Sequence, residues 1–570
     1  MPSVRRVSHE FLERQGLTTV FGNPGSNELP FLAELPDGFR YILGLHEGAV
    51  VGMADGYAQA TGRPVLVNLH AASGSGNAMG ALTNAVASRT PLVVVAGQQV
   101  RPAIGPEANL ASVDAPALMK PLVGWAAEPA CAGDVPRALA QAVFEARLQR
   151  RPTYLSVPYD DWSAEVDDNA LAVLDRRVVR GSVPGDEQRR WLVEQVASAR
   201  RPALVLGGDI DSAGRFDDAV RLAERLGGPV WAAPSQFRLP FPNRHPRFRG
   251  VLPAGIAPIS AAFEGHDLVL VLGAPVFRYH EHLPGRYLPE GTRLIQVTDD
   301  ASAAARAPMG EALVADPSAV VDVLLEALDA ADGPAEAYRP VPEPLTAEGP
   351  ALHPEQVFAA LREEMPGDTA YVVESTSTNA AWWRQMDLRR QGSYYFPAAG
   401  GLGFGLPGAV GVAMAQPGRP VVGVIGDGSA NYGITALWTA AQHRVPLTVV
   451  LLRNGTYGAL RWFGGLLGVP DAPGLDIPGL DFTRIAEGYG VRAQHVGGVA
   501  ELRAALAETP DHPRLIQVDT ALTTPSWTDS NPTRTRRDRR TRAKPPAEDP
   551  DRSSRPAEDP DRRSRREGRR

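Results

Sequence analysis

The sequence predicts an α/β protein of three doubly wound domains with mostly parallel sheets, and three observations lead there. Short apolar runs of strand length alternate with helical stretches and Gly-rich turns, the pattern of parallel strands whose crossover helices cover both sheet faces. The first 530 of the 570 residues suffice for three domains at roughly 150 residues each. Two polar stretches, an acidic one at 161–188 and a Pro- and Glu-rich one at 333–354, divide them.

The elements follow in order. An amphipathic helix over residues 1–20, charged at Arg5, Arg6, Glu10, Glu13 and Arg14, opens a first domain (1–165) with strands at 18–21, 41–45, 65–69, 92–96 and 154–157. A central α/β domain (185–330) carries strands at 203–206, 230–232, 268–272 and 294–297. A third domain (350–525) carries strands at 370–373, 421–425, 447–452 and 515–518. The first and third look like sisters. Each has a Gly/Ala-rich helical stretch (from Gly48 and from Gly408) running into Gly-Arg-Pro-Val, a strand, a Gly/Ser loop, a helix and a Pro-Leu-led strand. Sister domains with different loop chemistry suggest one ligand held between them.

Composition excludes several functions. Hydrophobic residues at 44% and charged residues at 22% are globular averages, and apolar runs such as 268–272 are too short to cross a bilayer. Residues 1–20 lack the apolar core of a signal peptide, so a soluble, cytoplasmic protein is expected. Cys131 is the one cysteine, which removes intrachain disulfides, thiolate zinc cages and CxxC redox pairs. Lys120 and Lys544 stand against 56 arginines, leaving almost no candidate for Schiff-base chemistry, which arginine cannot perform. The segment 531–570 holds 15 basic and 8 acidic side chains and a ten-residue repeat, 546–555 followed by 556–565. It has no side chain able to build a core and reads as a disordered Arg/Pro/Asp-rich tail. Its interleaved acids and lack of stacking aromatics argue against a nucleic-acid partner.

The strongest chemical signal is Gly426, Asp427, Gly428 and Ser429, with Asn454, Gly455 and Thr456 beginning 27 residues after Asp427. The first group ends one predicted strand and opens a helix; the second ends the next strand. Adjacent strand ends of a parallel sheet converge on one edge, where ligands bind. The Asp427 carboxylate, the Asn454 amide oxygen and the Thr456 carbonyl offer hard oxygen ligands for Mg²⁺, or Ca²⁺, which also takes diphosphate oxygens. Backbone N–H groups of Gly428 and Ser429 are expected to face those same oxygens.

This spacing resembles the thiamine-diphosphate-binding signature of the 2-oxo acid decarboxylase superfamily, with Arg453 standing where the first of two consecutive asparagines is expected. Within it, the segments beginning at Phe21 (FGNPGSNELP), Asn68 (NLHAASG), Val276 (VFRYH), Glu374 (ESTST) and Ala398 (AAGGLGF) resemble the benzoylformate decarboxylase family from about residue 10 to about 520. The resemblance implies that the first and third domains are sister thiamine-diphosphate-binding folds. It implies that Glu47 contacts the cofactor pyrimidine across a subunit interface, that Ser26 binds the substrate carboxylate, and that His70 and His280 carry protons. Gly400 and Leu402 are implied to hold the pyrimidine, with Leu402 wedged beneath a bent cofactor; Thr376, Ser377, Gly428, Ser429 and Tyr457 are implied to hold the diphosphate. Pro24, Leu110, Phe396, Ala459, Leu460 and Phe463 form the implied apolar substrate wall. Asn109 departs from the aliphatic residue expected beside Leu110, and a polar group there either admits a ring hydroxyl or lowers affinity.

The activity implied is thiamine-diphosphate-dependent decarboxylation of an aromatic 2-oxo acid to an aldehyde and CO₂, in aromatic catabolism of the mandelate type. The assembly implied is a homodimer or homotetramer with sites at the dimer interface. A carboligase transferase of the acetohydroxyacid synthase type is the alternative; two histidines placed to protonate favour the lyase.

Overall fold

The computed structural model describes residues 1–280, 282–329 and 336–523. The predicted tail at 531–570 lies outside them, as do the last residues of the predicted second and third domains.

Three six-stranded sheets form, and every described strand pair is parallel. The first contains β1 (Thr19–Asn23), β2 (Arg40–Leu43), β3 (Val65–Leu69), β4 (Leu92–Gln98), β5 (Trp125–Ala127) and β6 (Thr153–Pro158). The second contains β7 (Pro202–Leu206), β8 (Val230–Ala232), β9 (Phe248–Val251), β10 (Leu268–Leu272), β11 (Arg293–Thr298) and β12 (Glu311–Val314). The third contains β13 (Ala370–Glu374), β14 (Tyr394–Tyr395), β15 (Val421–Gly426), β16 (Thr448–Arg453), β17 (Arg492–Val496) and β18 (Arg514–Asp519).

The sister relation is visible in the strand order. The first sheet runs β2-β1-β3-β4-β6-β5 and the third β14-β13-β15-β16-β18-β17, the same permutation, whereas the middle sheet runs β12-β11-β10-β7-β8-β9. Central strands such as β3 and β4 are buried along their whole length, which is why they read as continuous apolar runs rather than alternating ones.

Five strands were not expected from the sequence: β5, β9, β12, β14 and β17. All five are edge strands. β12 and β17 are largely exposed and β14 has two residues, so neither apolar runs nor length betray them. The stretch at 161–188 is also less of a linker than expected. It begins with packed turns, Asp161–Ser163 and Ala172–Asp175, that bury Trp162, Val166 and Val173. Among the described residues no helix is long and apolar enough to cross a membrane.

The helices Glu47–Thr61 and Gly405–Ala415 pack the first and third domains together, and glycine permits the approach. A Cβ on Gly56 would lie 2.3 Å from the Gly408 carbonyl oxygen, and one on Gly411 would lie 2.0 Å from that of Met53. Neither backbone can yield without parting the helices. We expect Gly411→Ala to cost about 1–3 kcal/mol, the usual range for overpacking, read as an earlier urea midpoint. An unchanged midpoint would mean that the helix contact is looser than described.

Candidate active site

At the carboxyl edge of the third sheet, Asp427 opens the helix Asp427–Gly433 directly after β15 and is 3% exposed. Its Oδ2 accepts from the backbone N–H of Asn454 at 2.9 Å and of Gly455 at 2.7 Å, and its Oδ1 from that of Gly428 at 2.8 Å. One carboxylate therefore ties together the segments 426–429 and 454–456. Burial pushes the carboxyl up, and the three N–H donors pull it back. The Gly428 N–H, expected to face a diphosphate, instead donates to Asp427, because the helix start folds the amide back onto the side chain.

Asn454 Oδ1 accepts from Thr456 N–H at 3.1 Å, which sets the amide orientation and leaves a second lone pair. Tyr457 covers Gly428 so closely that a Cβ there would meet the ring at 2.6 Å. Ser377, in the turn Thr376–Thr378 after β13, lies against Gly458. Arg453, the departure from the family signature, makes a bidentate ion pair with Asp519 on β18, at 2.6 and 2.7 Å. Its guanidinium is thus engaged across the strand pair and leaves Asn454 free.

The donor set fits the implied ion and cofactor. Among the described residues no group of three or more His, Cys, Asp or Glu side chains could hold a metal. What is present is one carboxylate with amide and carbonyl oxygens. That set suits Mg²⁺, which is bound by one or two carboxylates and completes its shell with phosphate oxygens and water.

Glu374, at the end of β13, is fully buried and accepts from the N–H groups of Gly403, Phe404 and Gly405 at 2.9, 3.3 and 2.9 Å. It anchors the segment carrying Gly400 and the half-buried Leu402. Burial raises its carboxyl from 4.5 to about 7 against those three donors. The folded value exceeds the unfolded one, so the folded state holds the proton more tightly between them. That stabilisation is complete below about pH 4.5 and lost as pH rises through about 7; over the whole window it amounts to about 3 kcal/mol. We expect the urea midpoint of the wild type to drop more than that of Glu374→Gln between about pH 5 and about pH 8. Parallel pH slopes for the two proteins would remove the assignment.

The matching edge of the first sheet holds a second cluster. Glu47 starts the helix Glu47–Thr61 and is 7% exposed. It accepts from Asn23 Nδ2 at 3.2 Å and Asn77 Nδ2 at 3.0 Å. His70 sits between β3 and the helix Ala71–Ala87, and its Nδ1 lies 2.7 Å from Glu28 Oε2. Glu28 is 2% exposed and also accepts from the N–H groups of Gly25, Ala71 and Gly97. It binds its own turn, the start of the helix after β3 and the end of β4 into one unit, with Ser26 exposed beside it. Ala71 is held at φ 43° and Leu110 at φ 67°, strained backbone of the kind that collects at functional sites.

His280 follows β10 on an exposed loop, and its ring packs 4.8 Å from that of Phe463. Ala459, Leu460 and Phe463 lie on the helix Gly458–Leu467 of the third domain, with Leu460 49% exposed. Leu110 and Pro24 belong to the first domain, and Leu110 is 44% exposed. Phe396 stacks on Tyr394 at 6.1 Å.

The helix Ala71–Ala87 separates these groups within one chain. His70 caps its start. Near its end, Asn84 donates to the Gly401 carbonyl at 2.8 Å and accepts from Ala399 N–H, while Arg278 donates to the Ala87 carbonyl at 2.7 Å. Seventeen helical residues span about 25 Å. Even with the reach of the Arg278 side chain added, the two residues from Arg278 to His280, about 7 Å of chain, fall short of that length. His70 and His280 of one chain therefore stand at opposite ends of one helix.

Models of the thiamine pyrophosphate enzymes match three parts of the chain: the N-terminal TPP binding domain over residues 3–117, the central domain over 190–324 and the C-terminal TPP binding domain over 375–519. Benzoylformate decarboxylase of Pseudomonas aeruginosa is 58% identical over 523 residues, covering 91% of this chain and 99% of that protein. The chain belongs to the benzoylformate decarboxylase family of thiamine pyrophosphate enzymes. A 4-hydroxybenzoylformate decarboxylase of Rhodococcus jostii RHA1 superposes with a TM-score of 0.90 at 55% identity, covering 92% of this chain and all of that one. Benzoylformate decarboxylase from Polynucleobacter necessarius follows at TM-score 0.86 and 36% identity, covering 92% and 99%. An acetolactate synthase large subunit of Escherichia coli, the alternative chemistry, matches at 27% over 89% of this chain and 92% of that one.

Sequence reasoning gave no role to Glu28, Asn23, Asn77, Asn84 or Glu374, although Asn23, Glu28 and Glu374 stand inside the motifs it singled out. A carboxylate in a Gly-rich turn or at the end of an otherwise apolar strand is the signal that could have found the two acids.

Proposed function

We propose that this protein decarboxylates an aryl 2-oxo acid of the benzoylformate class to an aldehyde and CO₂, using thiamine diphosphate and Mg²⁺ in the cytoplasm. The observation that carries the proposal is the pair of buried carboxylates on matching edges of sister sheets: Asp427 at a hard-oxygen cradle and Glu47 between two asparagine amides. The names of the relatives support the aryl substrate, and the domains follow the boundaries 1–165, 185–330 and 350–525.

Asp427, Asn454 and the Thr456 carbonyl are suited to hold the metal ion. Thr376, Ser377, Gly428, Ser429 and Tyr457 line the diphosphate side, with Gly400 and Leu402 at the pyrimidine. When bound, thiamine diphosphate supplies the electron sink that receives the bonding pair left as CO₂ departs. Glu47 holds a negative charge or a proton at its carboxylate against the pyrimidine, steadied by Asn23 and Asn77. Ser26 offers its hydroxyl to the substrate carboxylate. Glu28, as the acceptor at His70 Nδ1, leaves Nε2 as the atom that takes up and returns a proton. His280 supplies a second proton carrier beside Phe463. Pro24, Leu110, Phe396, Ala459, Leu460 and Phe463 keep water from an aryl ring.

The separation of His70 from His280 along one helix supports a site completed by a second chain, so the working unit is a homodimer or a multiple of it. Release of aldehyde and CO₂ from a panel of aryl and alkyl 2-oxo acids, with and without thiamine diphosphate and Mg²⁺, tests the reading. Benzoylformate or its 4-hydroxy analogue should turn over only when both cofactors are present. A protein that turns over no aryl substrate, or that joins two pyruvates instead, would sink it.

A further inference from the structure

We infer that Arg278 is a positioning residue that sets His280 over the reaction centre by fastening its loop to the other two domains; the inference rests on the reading of His280 as a proton carrier. The loop after β10 leaves the middle sheet with Val276 and Phe277 buried, then turns outward through Arg278 and Tyr279 to the exposed His280. A cavity of about 440 Å³ lies along it, lined among others by Arg278, Tyr279, His280 and Ala398. Close packing therefore does not fix the outer part of the loop on that side. Apart from the His280 ring against Phe463, polar anchors do so.

His280 has one backbone anchor in its own domain, from its N–H to the Ala254 carbonyl at 2.8 Å. Arg278 reaches beyond the domain. One guanidinium nitrogen donates to the Ala87 carbonyl of the first domain at 2.7 Å, and the other makes a longer contact, 3.5 Å, to the Ala398 carbonyl of the third. Ala87 is the last residue of the helix Ala71–Ala87. Its carbonyl is one of those a helix leaves unpaired, at the end where the dipole favours a cation. Ala398 precedes the segment, held by Asn84 of that same helix, that carries Gly400 and Leu402. Among the described residues Arg278 makes no ion pair, and both of its hydrogen bonds go to backbone carbonyls. The planar fork of a guanidinium can serve two carbonyls at once, which an ammonium on its single point cannot do as well. Arg278 thus fixes the distance between His280 and the segment implied to carry the cofactor pyrimidine.

The test is a double-mutant cycle on the holoenzyme with saturating thiamine diphosphate and Mg²⁺, comparing wild type, Arg278→Met, His280→Ala and the double variant. Misplacing a proton carrier by about 1 Å costs on the order of 10- to 100-fold, so Arg278→Met should lower kcat by at least tenfold in the wild-type background. In the His280→Ala background it should lower kcat less than twofold, since nothing is left to misplace. Cofactor affinity, measured separately by fluorescence quenching, should stay within threefold. Arg278→Lys, run through the same cycle, should recover part of kcat and covers the case in which the methionine variant does not fold. Equal losses in both backgrounds overturn the proposal and leave the decarboxylase reading standing. A His280→Ala enzyme with wild-type kcat removes His280 from the reaction, and the proposal with it.

Discussion

Asp427→Ala is expected to abolish metal-dependent binding of thiamine diphosphate, with affinity falling at least about 100-fold, beyond the range seen when the supporting partners of a metal ligand are removed. Two losses coincide. The ion loses its one carboxylate, so the diphosphate faces the start of the helix Asp427–Gly433 without its cation. The N–H groups of Gly428, Asn454 and Gly455 also lose their shared acceptor, which frees the Asn454 turn from the helix. Asp427→Asn separates the two effects, because an amide oxygen can still accept from part of this set while the charge is gone. If charge dominates, both variants lose Mg²⁺-dependent binding in calorimetry. If architecture dominates, the asparagine variant retains most of it. Unchanged affinity in the alanine variant would remove the basis of the cofactor assignment.

How much could be read from the sequence depended on whether the signal was local. Central strands buried on both faces are mostly apolar, with Asn68 of β3 an exception, and β3, β8 and β10 match the expected strands to the residue. Edge strands have one unpaired side and fewer buried faces, so β12 reads as Glu-Ala-Leu-Val with a single buried position and was not expected. The same holds at the site. The Asp427 and Asn454 pairing was legible because two strand ends with recognisable turns mark it. The work of Glu28 was not, because its carboxylate accepts from groups 42 to 69 positions away, at His70, Ala71 and Gly97, and no spacing rule reaches that far. Arg453 was legible as a departure from the family pattern, but only the pairing with Asp519 shows why it is tolerated.

The identical strand permutation of the first and third sheets bears on why the ligand groups are divided as they are. Equivalent edges of two sister sheets offer equivalent crevices, with the hard-oxygen cradle in one and the Glu47 and His70 cluster in the other. A single chain holds both edges, yet the helix Ala71–Ala87 keeps His70 about 25 Å, by its length, from the end at which Arg278 and Asn84 dock.

Hybrid dimers carrying His70→Ala in one chain and Asp427→Ala in the other are therefore expected to regain decarboxylation, although each variant alone is inactive. If, as proposed, the first domain of each chain meets the third domain of its partner, a two-fold dimer holds two sites. One hybrid site combines both defects. The other combines the intact His70 of one chain with the intact Asp427 of its partner, so a hybrid should show about half the wild-type rate if two-fold symmetry makes the sites equivalent. The variants need co-expression with different tags and purification through both, because mixing finished dimers restores activity only if subunits exchange. Each variant purified alone should stay at least about 100-fold below wild type, the scale of lost acid–base chemistry or lost cofactor. Hybrids that remain as inactive as their parents would place His70 and Asp427 of one chain in one site, and the 17-residue helix between His70 and the Arg278 contact would then have to bend or shift on cofactor binding.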